Sequence, residues 1–127
     1  MSRLFEGLQV VVCTGESAAR IRVSGELDIS SVDVLREVLV AAIAASDGDV
    51  ELDMSSTHFC DSVGLCALAT ARHELHESGR ALRVVAASSV VRRVLDLSGM
   101  GPMLGVSRSM EAEQVTVDAS NTEWRLG

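Results

Sequence analysis

The chain has 127 residues, 47% of them hydrophobic and 2% aromatic, which suits one domain with an aliphatic core and excludes wholesale disorder. Its net charge of −7, with all 11 basic residues arginine, argues against a nucleic-acid partner, because phosphate neutralisation needs a basic face. The start MSRLFEGLQVVVC lacks the basic region, long apolar run and small-residue cleavage site of a signal peptide. No apolar stretch approaches the roughly 20 residues that cross a bilayer, so a cytoplasmic location without membrane insertion is expected. Cys13, Cys60 and Cys66 show no CxxC spacing and are expected to be free thiols packed as small core residues.

In chain order, Leu8 to Cys13 is a short β-branched run, and Arg20 to Ser24 alternates polar and apolar with period two. Together they predict an antiparallel pair with a turn near Gly15 to Ala18. Gly25-Glu26-Leu27-Asp28 leads into a first helix, for which Ser30 and Asp33 have capping-box spacing. Val34, Leu35, Val38, Leu39 and Ala42 form its apolar stripe, and Asp47-Gly48-Asp49 ends it. Val50, Leu52 and Met54 alternate with Glu51 and Asp53 as a strand.

A second helix is predicted from about Ser62 to Ser78, with Leu65, Leu68, Ala69 and Leu75 on one side and Gly79 as its stop. Ala81 to Ala87 is a nearly continuous apolar run, expected of a strand covered on both faces. Ser88 caps a third helix whose Val90, Val91, Val94 and Leu95 face the core and which ends at Gly99. Met103 to Val106 reads as a last strand, with a further helix near Met110 to Gln114. Strand–helix–strand units imply an α/β fold with a mostly parallel sheet and right-handed crossovers.

The segment Thr57 to Leu65 joins a buried strand to a helix and places Asp61 and Ser62 at the helix N-terminus. Outward-pointing N–H groups and the peptide dipoles make such an end partly positive. Gly64, lacking a side chain, is expected to let another molecule approach the Ser62 hydroxyl. The same spacing also fits an ordinary capped helix, so the local pattern alone leaves both readings open.

The stretches GELDISSVDVLREVL, VELDMSSTHFCDSVGLCAL and GRALRVVAASSVVRRVLDLSGM, in this order, resemble the STAS domain of bacterial anti-sigma factor antagonists over roughly Gly7 to Val106. The resemblance implies a mixed, mostly parallel sheet of four to five strands packed against three to four helices. It further implies a single STAS domain over residues 1–117 and a tail over 118–127. In that family the serine after the Asp of a DSSGL-like motif is phosphorylated by the anti-sigma factor, itself a serine kinase; that position is Ser62. Asp28 matches an acid beside the serine, Asp61 matches the motif's own acid, and Val63 replaces a second serine.

The implied function is an anti-sigma factor antagonist that binds an anti-sigma factor with serine kinase activity, releases a sigma factor, and is switched off by phosphorylation at Ser62. Partner binding is expected at Asp28, Ser30, Ser31, Asp61, Ser62, Val63 and Gly64, with a phosphatase as the partner that resets Ser62. No catalytic residue, metal site or cofactor is expected, and ATP would belong to the partner because the chain has no Gly-rich nucleotide loop. Catalysis by Ser62 finds no Gly-x-Ser-x-Gly context. His58 lies at a strand end, and His73 and His76 lack a third metal ligand. A second reading keeps the fold and makes the chain a scaffold or accessory subunit, of a stressosome or a lipid-transporting ABC system. The polar outer sides of its helices weigh against that reading.

Overall fold

The structure is a computed structural model that describes residues 2–5, 7–14 and 18–106. Its elements run β1 (Ser2–Phe5), β2 (Leu8–Thr14), β3 (Ala18–Leu27), α1 (Val32–Ala45), β4 (Asp49–Cys60), α2 (Ser62–Glu77), β5 (Leu82–Ala87), α3 (Ser89–Ser98) and a 3-10 turn at Pro102–Leu104. One five-stranded sheet follows the order β1-β2-β3-β4-β5. The first two pairings are antiparallel and the last two parallel, so the expected mixed α/β sheet forms.

Period-two patterning builds the inner face. Leu8 and Val10, Ile21 and Val23, Val50 and Leu52, and Leu82 and Val84 are all buried. Leu35, Val38, Leu39 and Ala42 of α1 and Leu65, Leu68, Ala71 and Leu75 of α2 join them in one aliphatic core. At ~25 cal/mol per Å² of apolar surface, this burial is the main force holding the elements together. The opposite face carries the register row Arg20–Glu51–Arg83, and Arg20 reaches Glu51 at 2.9 Å while Arg83 reaches Asp49 at 2.8 Å.

Arg80 closes the pole of the molecule where α1 ends. It donates to the carbonyls of Ile43, Ser46 and Gly48 at 3.1, 2.7 and 2.8 Å. A helix C-terminus leaves such carbonyls unsatisfied and partly negative. The last turn of α1 has no basic residue of its own, so the turn after α2 supplies one.

Several expectations need correction. The strand at Met103 to Val106 is instead the 3-10 turn, with Pro102 at its start and Gly105 left-handed at its end. An additional strand, β1, precedes the expected hairpin. β5 is an edge strand whose Arg83, Val85 and Ala86 are only half-buried, so it is not covered on both faces. Val90 is 40% exposed, Ala69 is only partly covered, and Cys13 and Cys66 are exposed; of the cysteines only Cys60 joins the core. Val40 and Leu97 stand in solvent on α1 and α3, so the outer helix faces are not uniformly polar. The turn at Gly15, the helix at Met110 to Gln114, the boundary at 117 and the tail 118–127 lie outside the described residues.

Candidate functional site

Parallel pairing of β3, β4 and β5 sends their C-terminal ends to one rim, where α1, α2 and α3 begin. In α/β sheets this rim is the usual place for a site. The rim is built from two motifs, GELDISS after β3 and FCDSVG after β4.

In the first motif, Gly25 has φ +106°, and a Cβ there would collide with the Gly7 carbonyl oxygen. The close approach brings the Glu26 N–H within 2.7 Å of that same oxygen. Only glycine tolerates both conditions. Beyond it, Asp28 turns back on its own backbone: its Oδ1 accepts from the Ser30 N–H at 3.0 Å and the Ser30 hydroxyl at 2.7 Å. These bonds, led by that hydroxyl, hold the Asp28 carboxyl below the usual carboxylate range. The Ser31 hydroxyl donates to the Glu26 carbonyl at 2.8 Å and accepts from the Asp28 N–H at 3.1 Å.

The N-cap position of α1 therefore falls at Ser31, whose side chain bonds no helix N–H. This corrects the expected Ser30–Asp33 capping box. The serines fasten the turn instead of capping the helix, because Asp28 and Glu26 offer nearer partners.

In the second motif, Asp61 is the N-cap of α2, accepting from the Val63 and Gly64 N–H groups at 3.0 and 3.2 Å. Its own N–H donates to the Leu27 carbonyl at 3.3 Å, which ties this cap to the strand end that leads into Asp28. Ser62 follows as the first helical residue, exposed, with no side-chain hydrogen bond among the described residues.

Gly64 does not leave space on the solvent side as expected. It is buried, and a Cβ there would lie 2.8 Å from Leu27 and 3.1 Å from the Cys60 sulfur. The missing side chain lets the first turn of α2 lie directly on Leu27 at the end of β3 and Cys60 at the end of β4. Beneath it, burial, with the nearby Asp61 charge, pushes the Cys60 thiol up to about 11.

Of the seven expected partner-binding residues, Ser30 and Ser62 are exposed and Asp28, Asp61 and Val63 are partly so. Ser31 and Gly64 are buried and shape the rim from behind. Two exposed apolar residues on the same rim, Ile29 at 76% and Phe59 at 46%, escaped the sequence reading. Ile29 sits inside a quoted motif, and its position between Asp28 and the two serines was the available signal. Among the described residues, no group of His, Cys, Asp and Glu is placed to hold a metal. None of their helices is long and apolar enough to cross a membrane.

The family profile described as Mlab, STAS domain matches residues 12–105. The chain belongs to the STAS domain family. An anti-sigma-B factor antagonist from Staphylococcus epidermidis is 26% identical over 106 residues, covering 84% of this chain and 98% of that protein. The crystal structure of an anti-sigma factor antagonist from Mycobacterium paratuberculosis aligns with TM-score 0.72 at 26% identity, covering 88% of this STAS chain and 95% of that one. The unphosphorylated anti-sigma factor antagonist SpoIIAA aligns with TM-score 0.64 at 24% identity, over 91% of this chain and 99% of its own, and shares the fold.

Proposed function

We propose that this STAS domain is an anti-sigma factor antagonist whose Ser62 rim docks on an anti-sigma factor with serine kinase activity, releasing a sigma factor, until phosphorylation of Ser62 ends the contact. The observation that carries this reading is the exposed, unbonded Ser62 hydroxyl placed directly after a cap that is already filled. Relatives that are anti-sigma factor antagonists support the general role.

The physics of the off state follows from Asp61. A bare helix N-terminus stabilises an anion by ~0.3–1 kcal/mol. Here the Asp61 carboxylate already takes the Val63 and Gly64 N–H groups, so a phosphate on Ser62 meets a negative neighbour and few free donors. The kinase would transfer the terminal phosphoryl of ATP to Oγ, with ADP leaving and the hydroxyl proton passing to solvent. The product carries about −1.5 to −2 charges at neutral pH. Desolvating that charge beside Asp61 and Asp28 in an interface opposes binding; a 100-fold loss needs only ~2.7 kcal/mol. In this reading the chain is a substrate and not an enzyme, and a phosphatase resets it.

The test combines phosphorylation and binding. Incubation with purified anti-sigma kinases and ATP, followed by peptide mass spectrometry, should find phosphate on Ser62. Ser62→Ala should bind the anti-sigma factor as wild type does and resist inactivation, whereas Ser62→Glu should bind at least ~100-fold more weakly. Equal binding by Ser62→Glu and wild type would overturn the mechanism. The accessory-subunit reading predicts instead that a transport ATPase co-purifies with the chain and that Ser62→Glu leaves that association intact.

A further inference from the structure

Single exposed aliphatic residues are common on protein surfaces and need no explanation. Ile29 differs because of how it is held. The turn Asp28–Ser31 is closed by backbone bonds from the Ser31 and Val32 N–H groups to the Asp28 carbonyl at 3.1 and 2.8 Å. The Ser30 and Ser31 side chains lock the turn from both sides. Leu27 and Val32 on either side are buried, so the turn cannot roll to cover Ile29. An apolar side chain is thus fixed in solvent on the rim that bears Ser62.

Phe59 adds a second apolar group to this rim. It pairs in register with Glu26 and precedes Cys60 and Asp61. Glu26 lies opposite Phe59 in the β3–β4 register, Asp28 directly precedes Ile29 and Asp61 follows Cys60, in a chain of net charge −7. Exposed apolar residues flanked by carboxylates suit a protein pocket with an aliphatic floor and an arginine- or lysine-rich edge, and they disfavour an anionic membrane surface. Rigid presentation also lowers the ordering cost of binding.

We propose that Ile29, supported by Phe59, is the anchor by which this chain enters a basic-edged apolar pocket of its anti-sigma factor, and that it helps determine which anti-sigma factor is recognised. The proposal rests on the antagonist reading and names the contact that Ser62 phosphorylation would switch.

The experiment titrates wild type against a panel of purified anti-sigma factors and carries the one that binds into variant studies, each variant first shown to melt as wild type does. Ile29→Ser should weaken binding at least ~10-fold and Ile29→Asp ~100-fold, the scale of an interface hot spot. Ile29→Val should stay close to wild type. Leu97→Asp, at an even more exposed apolar position on α3 (80%), should also bind normally. Normal binding by Ile29→Asp while Ser62→Glu fails would overturn the anchor and leave the antagonist reading standing. Equal losses in Ile29→Asp and Leu97→Asp would overturn it too, by showing a non-specific charge effect. If no panel member binds wild type, or if Ser62→Glu binds normally, the antagonist reading fails and the anchor with it.

Discussion

A methyl group at position 64 would lie 2.8 Å from two carbons of Leu27, a residue with no exposed surface. Leu27 is fully buried, so its side chain must shift within a packed core, and overpacking of this kind costs ~1–3 kcal/mol. Gly64→Ala should therefore lower the unfolding free energy by that amount, read as a lower urea midpoint at unchanged slope. An unchanged midpoint would show that α2 can lift off β3. In the local motif Gly64 reads as clearance for a partner, because the atoms that crowd it come from the ends of β3 and β4 and are invisible there. The polar residues of the rim were more legible. Asp61 before an apolar helix announces a cap, and the exposed Ser62 hydroxyl follows from its position just inside that cap. The Ser30 and Ser31 bonding was not legible, since it depends on the Glu26 carbonyl and Asp28 carboxylate curling back towards them.

At the level of elements, the helices were the easiest to read: α1 and α2 carry 3.6-residue stripes, and Gly79 and Gly99 both adopt the left-handed stop conformation. β4 was only half legible. Up to Met54 it alternates, but register shifts against β3 follow, and burial then falls at Thr57 and Cys60. The Ser55 N–H and hydroxyl bond the Asp53 carboxylate at 3.0 and 2.6 Å where the strand loses its simple period. Met103 to Val106 is apolar enough to suggest a strand, but Pro102 and Gly105 curl it into a turn.

The charged row on the outer sheet face gives a pH prediction. The Ala81 N–H, then Arg83, hold Asp49 below its ordinary 3.8, and the Arg20 hydrogen bond, then Arg83, hold Glu51 below its ordinary 4.5. Both lowered values mean that the folded state favours the ionised carboxylates. Their contribution is fully present above about pH 4.5 and fades as pH falls through the depressed folded values. Melting temperature should accordingly drop below that pH, and Arg83→Ala should flatten the drop. The pairs are partly exposed, so each is worth only ~0.2–1 kcal/mol. A profile identical in Arg83→Ala and wild type would remove the row from the account.

Across the whole molecule, the Arg80 clasp lies at the pole where α1 ends, away from the rim that carries Asp28, Ile29, Asp61 and Ser62, and Ser62 itself is exposed above the core. Covalent change at the rim should therefore leave folding nearly untouched, shifting stability by less than ~1 kcal/mol, the scale of a charge at an exposed helix end. In amide NMR spectra, phosphorylation of Ser62 is expected to move resonances of residues 26–31 and 58–66 and little else. Widespread shifts in α3 or β2 would point to a rearranged fold.

The close seating of the first turn of α2 on Leu27 and Cys60 at Gly64 has one more consequence. A helix resting with no clearance cannot recoil when its first residue gains bulk and charge. If the proposed phosphorylation occurs, its message would be read where it is written, as a new label on a fixed plate. On the proposed reading, a partner would sense the label by touching it.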